Sequence, residues 1–535
     1  MPSLIVPILV PLFTAITVAM FQNQRHLQKA ISAISCVGLT AWVFWLLFHV
    51  DTNSIQSVII GGWEAPFGIA LVADRLACIM LCLSMTVGSV VLFYTFWTAT
   101  EKQQRYFFYP LFQIVLCGVN WAFLTGDLFN LFVAYEVMLI GSYGMMMVGA
   151  TKVQVRQTMK YIAINAVGST LFVAGVGLIY ATVGTLNMAE LARRTAELSG
   201  QQAAMVTTAS MVLLVVFAMK SAAFPLFFWL PDSYPIVPEG VNGYYAGLLT
   251  KVGVYSLLRI FVMVLQQPGA ELATNILLVL SGFTMLLGVL GAMCQWDIRK
   301  ILSWHIISQV GYMVMGIGMA GSVDPAVVKL AIAGTLFYVV HHIVVKSCLF
   351  LVGGIVERVS GTQKLKQMGG MLDLAPGVAA LFLVAAFSLA GMPPFSGFLS
   401  KFVLMRAGLT GHYFGIVLVS ILTSFLTLYS MAKIWSYAFW RDKSRESAGP
   451  NYRGMMVPTS ILVAFTILMG MWAQPFMGIA NRAAEQINDP SEYIQVVFSH
   501  KSPSTDEHHV TAAPAGPQTA MVTIDSRTQK KGQAR

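Results

Sequence analysis

The chain has 535 residues, of which 57% are hydrophobic and 10% charged, and its formal net charge is +10. A soluble chain of this length needs more charge to cover its surface, so the composition is that of a membrane protein. No phosphate-binding loop, dinucleotide fingerprint or Ser/His/Asp set is legible in it, so nothing suggests ATP hydrolysis or electron transfer.

Fourteen apolar runs of spanning length follow one another, at 3–22, 28–50, 70–98, 107–124, 126–150, 158–183, 205–230, 242–266, 272–294, 301–320, 326–357, 373–403, 411–438 and 455–480. A helix needs about 20 such residues to cross the hydrocarbon core. The expected fold is therefore an all-α polytopic membrane protein of about fourteen transmembrane helices. The first run lacks a basic leader and a cleavage site, so it is expected to be retained. The organisation predicted is helices 1–2 with an outer loop (1–69), helix 3 (70–106), two five-helix repeats (107–270 and 271–440), a last helix (441–480) and a polar tail (481–535). The tail has Pro, Ser and Thr and no apolar periodicity, and is expected to be disordered.

Basic residues set the orientation. The loops after runs 1, 3, 5, 9, 11 and 13 hold sixteen Lys and Arg, against three (Arg193, Arg194 and Arg406) in the even-numbered loops. Odd loops are thus expected in the cytoplasm and both termini outside. The positive-inside bias accounts for the net charge, and nucleic-acid binding is not expected. All six cysteines fall within runs; Cys78 and Cys82 share a helix face without metal-site partners, so packing is the expected role and no metal or cofactor is foreseen.

Several runs carry ionisable residues near their middles. Glu136 lies in "FNLFVAYEVMLIGSYG", Lys220 in "VFAMKSAAFPLFFWLPDSYP" and Lys251 in "GLLTKVGVYSLLRIF". His341, His342 and Lys346 share "FYVVHHIVVKSCLFLVGG", and Lys401 lies in "GMPPFSGFLSKF". Each charge costs about 2.5–3.5 kcal/mol in a membrane helix. Snorkelling is the expected reading for Arg259 and Lys433, nearer their run ends, but fails for Lys220 and Lys251. A packing ion pair between Glu136 and a lysine would explain only part of the series. A buried polar path remains, and Glu, Lys and His are the side chains that exchange protons.

Prolines stand beside these residues. Pro225 has no N–H for the Ser221 carbonyl, and Pro393 and Pro394 free those of Leu389 and Ala390. Such freed backbone is tolerated at membrane depth only where protein or water satisfies it. The two breaks are five runs apart, as are "LFVAGVGLIYATVGT" (171–185) and "CLFLVGGIVERVSGT" (348–362). Five being odd, repeats so related have opposite orientations in the membrane.

The runs "YE", "KYIAINAVGS", "MKSAAFPLFFWLPDSYP", "GLLTKVGVY", "DIRKILSWHIISQVGYM", "HHIVVKSCLFLVGG" and "GMPPFSGFLSKF" resemble the antiporter-like subunits shared by respiratory complex I and the Mrp-type cation/proton antiporters, over about residues 70 to 440. The resemblance implies a fourteen-helix fold with inverted five-helix repeats. It implies a proton relay of Glu136, its partner Lys220, the central Lys251, His342 with Lys346, and the terminal Lys401, with His341 and His305 as further relay candidates. The form "WLPDSYPIVPEGV" is similar to the D-type subunits of the Mrp branch. That branch implies exchange of protons for sodium or other monovalent cations, the bacterial cytoplasmic membrane, and partner subunits of types A, B, C, E, F and G. The alternative is a proton-pumping subunit of a quinone- or hydrogenase-linked complex; a non-transporting scaffold is disfavoured by the buried ionisable groups. The expected mechanism has Glu136 holding the Lys220 ammonium. Moved toward Lys251, that charge repels the Lys251 proton through His342 to Lys401.

Overall fold

The computed structural model of the chain describes residues 3–61, 63–442 and 452–499. The described residues are mostly helical. We number the principal helices α1 (Val6–Met20), α2 (Arg25–Asn53), α3 (Arg75–Thr98), α4 (Phe108–Leu124), α5 (Leu128–Met147), α6 (Lys152–Val183), α7 (Gly200–Ser221), α8 (Val241–Val264), α9 (Glu271–Cys294), α10 (Ile298–Met319) and α11 (Pro325–Ser360). There follow α12 (Pro376–Ala390), α13 (Ser396–Thr410), α14 (Phe414–Trp440), α15 (Arg453–Met471), α16 (Ala473–Asn488) and α17 (Ser491–Phe498). Eleven of the described helices are long and apolar enough to cross a membrane; α1, α4 and α12 are apolar but shorter. Between α2 and α3 an antiparallel hairpin pairs Gln56–Ile60 with Ile69–Ala73, so the third run begins as a strand and turns helical at Arg75.

Local signals set the helix ends. Asp74, Asp127, Asp297 and Asp324 each accept a backbone N–H at the start of α3, α5, α10 and α11, as N-cap carboxylates do. Thr151 and Gln154 form a capping box on α6. The two similar segments of the sequence end alike: Gly184 (φ +79°) closes α6 and Gly361 (φ +69°) closes α11, both left-handed. Beyond each glycine the chain pairs with the residues that open the preceding helix. Leu128 N–H donates to Leu186 O and Met188 N–H to Gly126 O; likewise Ile298 N–H donates to Gln363 O and Leu365 N–H to Trp296 O.

α8, α10 and α11 are buried over most of their length. α11 lies at the centre, against α3, α8, α10, α12, α13, α15 and α16. α9 and α10 approach closely because Gly288 faces the backbone of the next helix, where a Cβ would lie 2.4 Å from the Ser308 nitrogen.

Helix ends fall inside the two runs that hold Pro225 and Pro393–Pro394. In the seventh, α7 stops at Ser221, with Ala222 left-handed (φ +60°), and a turn leads to a short helix, Leu230–Ser233. The twelfth run is two helices, α12 and α13, parted at 391–395 with Gly391 left-handed. The structure departs from the sequence reading at the C-terminal end: the fourteenth run covers nearly all of α15 and the first half of α16. The stretch expected to be disordered from 481 is helical through α16 and α17 as far as Phe498; the rest of that tail, 500–535, lies outside the described residues. α16 buries a stripe of Ala480, Ala483, Ala484 and Ile487. Small residues set among Arg, Glu, Gln and Asn make an amphipathic helix read as polar chain. Of the cysteines, only Cys294 is exposed.

Candidate functional site: a buried line of bases

The site begins where α7 stops. Lys220 occupies the last turn of α7, where a cation complements the free carbonyl end. The stop is well held: Ala223 N–H donates to Ala218 O at 2.8 Å, Trp229 Nε1 to Met219 O at 3.1 Å, and Phe224 N–H to Thr284 Oγ1 at 2.9 Å. The Lys220 ammonium is buried and donates to Asn165 Oδ1 of α6 at 2.9 Å, above the Tyr135 ring at 5.8 Å. Asn165 Nδ2 is fixed to Tyr161 O at 2.9 Å, which fixes its amide oxygen toward the lysine. A small cavity of about 10 Å³ touches Lys220, Asn165, Tyr135, Tyr161 and Trp229, about the space of a single water.

Glu136, half-buried on α5, is the carboxylate expected to hold Lys220. Its short hydrogen bond comes instead from Ser169 Oγ of α6. No ion pair joins Glu136 to Lys220 among the described residues; the lysine still feels its charge across the gap. Asn165 and Ser169, both within the quoted "KYIAINAVGS", are thus the residues sequence reasoning missed. The alignment of the Gly184 and Gly361 caps exposes them: Asn165 falls opposite His342 and Ser169 opposite Lys346.

α8 packs its backbone on the end of α7, where a Cβ on Gly253 would lie 2.5 Å from the Ser221 nitrogen. Two residues earlier Lys251 is wholly buried and donates to Ala246 O at 2.6 Å and Thr250 Oγ1 at 3.2 Å. The Ala246 carbonyl lies in a π-turn of α8 at Tyr245–Leu249, a distortion that departs from the regular i to i−4 bonding. Lys346, on α11, donates to Leu302 O of α10 at 3.1 Å. His342 lies one turn before Lys346 on α11 and is wholly buried. Neither of its ring nitrogens has a protein hydrogen-bond partner, and its ring lies parallel to Tyr338, 6.4 Å away.

Lys401 closes the line. It sits one turn into α13 and turns back on α12, donating to Leu389 O at 3.1 Å and Ala390 O at 3.0 Å, the carbonyls beside Pro393 and Pro394. Tyr312 lies beneath it at 5.0 Å and stacks on Tyr338. Lys401 thus places its ammonium at the carbonyl end of an interrupted helix, whereas Lys220, in the last turn of the interrupted α7, bonds to Asn165 of α6. His341 Nδ1 meets Ser396 Oγ at 2.8 Å at the start of α13. His305 Nε2 meets Ser430 Oγ of α14 at 2.9 Å; the other nitrogen of each has no protein partner. A cavity of about 290 Å³ borders Lys401, Gly391 and Ser424.

The chain matches the family model described as "NADH:quinone oxidoreductase/Mrp antiporter, TM" over residues 125–427, which spans every residue of the line. It belongs to that family. The D-type subunit of the Na+/H+ antiporter of Alkalihalophilus pseudofirmus is 44% identical over 497 residues, covering 92% of this chain and 99% of the relative. Its namesake in Bacillus subtilis is 37% identical over 501 residues, at 92% and 99% coverage. A chain in the structure of the Mrp complex from Dietzia sp. superposes with a TM-score of 0.84 at 30% identity, covering 92% of this chain and 99% of that one. A chain of an archaeal membrane-bound sulfane sulfur reductase superposes with a TM-score of 0.83 at 24% identity and 92% and 100% coverage, a likeness of fold. Family members are multi-pass membrane proteins, consistent with the apolar helices here.

Two residues expected to snorkel do not. Arg259 is buried and forms a two-pronged ion pair with Asp74 at the head of α3, one bond at 2.8 Å, with Tyr255 and Tyr493 rings at 5.2 and 5.5 Å. The pairing is hidden in the sequence because Asp74 is remote and reads as an ordinary N-cap. Lys433 donates to Met293 O and Gln295 O, both at 2.7 Å, and so caps the carbonyl end of α9. Neither belongs to the line of bases.

Proposed function

We propose that this chain is the proton-translocating subunit of a multisubunit antiporter that exchanges Na+ or another monovalent cation for H+, and that protons move along Lys220, Lys251, His342 with Lys346, and Lys401. The observation that carries the reading is the imbalance of that line: four buried lysines and one carboxylate, Glu136, which bonds to Ser169 and to none of them. Charges cost about 2.5–3.5 kcal/mol each at membrane depth, so a fully protonated line is strongly disfavoured and it holds fewer protons than bases. A line of partly filled bases is a path. His342, with two unbonded ring nitrogens, is placed to take a proton on one and release it from the other. Buried polar atoms are ordinarily satisfied, and water at His342, His341 and His305 would complete the connections.

Asn165 gives this account its switch. It is the acceptor for Lys220, so the ammonium is held by a neutral oxygen and can be released without breaking an ion pair. The names of the antiporter relatives favour the cation/proton exchange over a redox-linked pump. We further propose fourteen spans, including α1, α4 and the interrupted α7 and α12–α13. The matched pairings beyond Gly184 and Gly361 support two five-helix repeats of opposite orientation. The sixteen-to-three bias of basic loop residues supports cytoplasmic odd loops with both termini outside, in a bacterial cytoplasmic membrane. Subunits of types A, B, C, E, F and G would be its partners.

The test is Na+-dependent proton flux in inverted membrane vesicles carrying the whole complex. Variants that empty the line, Lys251→Ala and Lys346→Ala, should assemble and lose exchange. Full exchange in both would overturn the reading.

A further inference from the structure

A third cavity lies between α2, α3, α11, α15 and α16. Its volume is about 320 Å³ and its walls are almost wholly apolar, with Phe48, Leu83 and Phe476 among them. It extends along α2 from Phe44 to Asp51 and along α3 from Ile79 to Thr86, about 10 Å on each at 1.5 Å per residue. That is most of the depth of one hydrocarbon leaflet, half of a core about 30 Å thick. Phe44 and Phe48 are exposed on the outer surface of the helix bundle, so the slot opens sideways.

Polar chemistry is gathered at one end. Asp51 accepts from Arg75 Nε at 2.9 Å and from Arg482 of α16 at 2.6 Å, so two guanidinium groups meet one carboxylate at the mouth. The nearby acids are engaged elsewhere: Glu485 with Lys329 at 2.6 Å, and Glu492 with Ile55 N–H and Gln486. Arg482 spends Nε and one terminal nitrogen on Asp51 and, with 43% of its side chain exposed, presents its remaining donors outward. A guanidinium fork so placed suits a phosphate oxygen. α16 is amphipathic and begins beside the exposed Trp472, the arrangement of a helix lying at a membrane interface.

We propose that this slot is a phospholipid site: one acyl chain fills the space between α2, α3 and α16, and the phosphodiester bonds to Arg482. The bound lipid would seal α16 against α2 and α3. The site shares no residue with the proton line, and the proposal holds whichever side of the membrane its mouth faces.

The test uses the whole purified complex in mild detergent and a phosphatidylglycerol carrying a diazirine midway along one acyl chain. After irradiation, labelled residues are mapped by peptide mass spectrometry. The wild type should be labelled on slot residues such as Leu83 and Phe476 well above the exposed Phe13 and Ile16 of α1. A diacylglycerol probe with the same chains should label the slot about fivefold less, the effect of one basic contact near the membrane surface. Arg482→Gln should lower phosphatidylglycerol labelling by the same factor, and Arg482→Lys should restore most of it. Ala480→Trp, which fills the slot, should abolish labelling there; because Arg482 is half-exposed, its variants test the site even if the tryptophan disturbs α16. Labelling no stronger in the slot than on α1 would overturn the proposal. So would equal labelling by the two probes, or a slot occupied by a helix of another subunit.

Discussion

The Lys220 ammonium donates to the neutral Asn165 Oδ1 at 2.9 Å, while Glu136 takes its hydrogen bond from Ser169, one turn further along α6. This neutral acceptor makes Asn165 as important to the line as the charged residues. Asn165→Leu removes a hydrogen bond to a charged group, worth about 1.5–3 kcal/mol. Vesicle assays should show Na+-dependent exchange reduced by about tenfold or more with normal assembly. Asn165→Asp should restore Lys220 binding but slow exchange, because the lysine then gains a direct ion pair.

Glu136 and Lys220 should still act as a unit through Ser169 and Asn165. Glu136→Ala and Lys220→Ala are each expected to abolish exchange, and the double variant should be little worse than either single one. Losses that multiply would show that the two residues serve separate steps.

Arg259 and Asp74 make a different prediction, about stability. Removing one partner from a buried, hydrogen-bonded pair costs about 3–5 kcal/mol. Arg259→Ala should therefore lower the amount of assembled protein in the membrane and its thermal midpoint in detergent. Arg259→Met with Asp74→Leu should recover part of the loss, because neither charge is then left alone.

Lys433 caps α9 through Met293 O and Gln295 O, so Lys433→Ala should reduce thermal stability by about 1 kcal/mol while leaving the exchange rate of assembled complex close to wild type. A large fall in rate at unchanged stability would place Lys433 on the proton path instead.

Much of this architecture is legible in the sequence, and the exceptions share a physical cause. The eleven helices long and apolar enough to cross a membrane all fall on apolar runs, and α7 and α12 end just before Pro225 and the Pro393–Pro394 pair, because bilayer thickness and proline stereochemistry act locally. Glu136, Lys220, Lys251, His342, Lys346 and Lys401 stand out because ionisable groups are costly in hydrocarbon. Most of their bonding partners do not: Asn165, Ser169, Thr250 and the carbonyls of Ala246 and Leu302 are ordinary residues whose importance arises from where the chain brings them, whereas the Leu389 and Ala390 carbonyls are marked by Pro393 and Pro394. Arg259 and Lys433 look like snorkelling residues for the same reason, since their partners Asp74 and Met293 are distant in the chain. α16 reads as polar tail because its buried face is alanine.

Lys401 decides between a path and a set of isolated buried groups. Its ammonium rests on the Leu389 and Ala390 carbonyls with no carboxylate partner among the described residues, so its presence has no ion-pairing explanation. The most direct measurement is the initial rate of Na+-dependent proton exchange in vesicles carrying the assembled complex with Lys401→Ala, beside Lys401→Glu. Loss of exchange in the alanine variant, with part of the rate retained by glutamate, is the predicted result, because a carboxylate can also pass a proton at that position. A wild-type rate in Lys401→Ala, with normal assembly, would contradict the account.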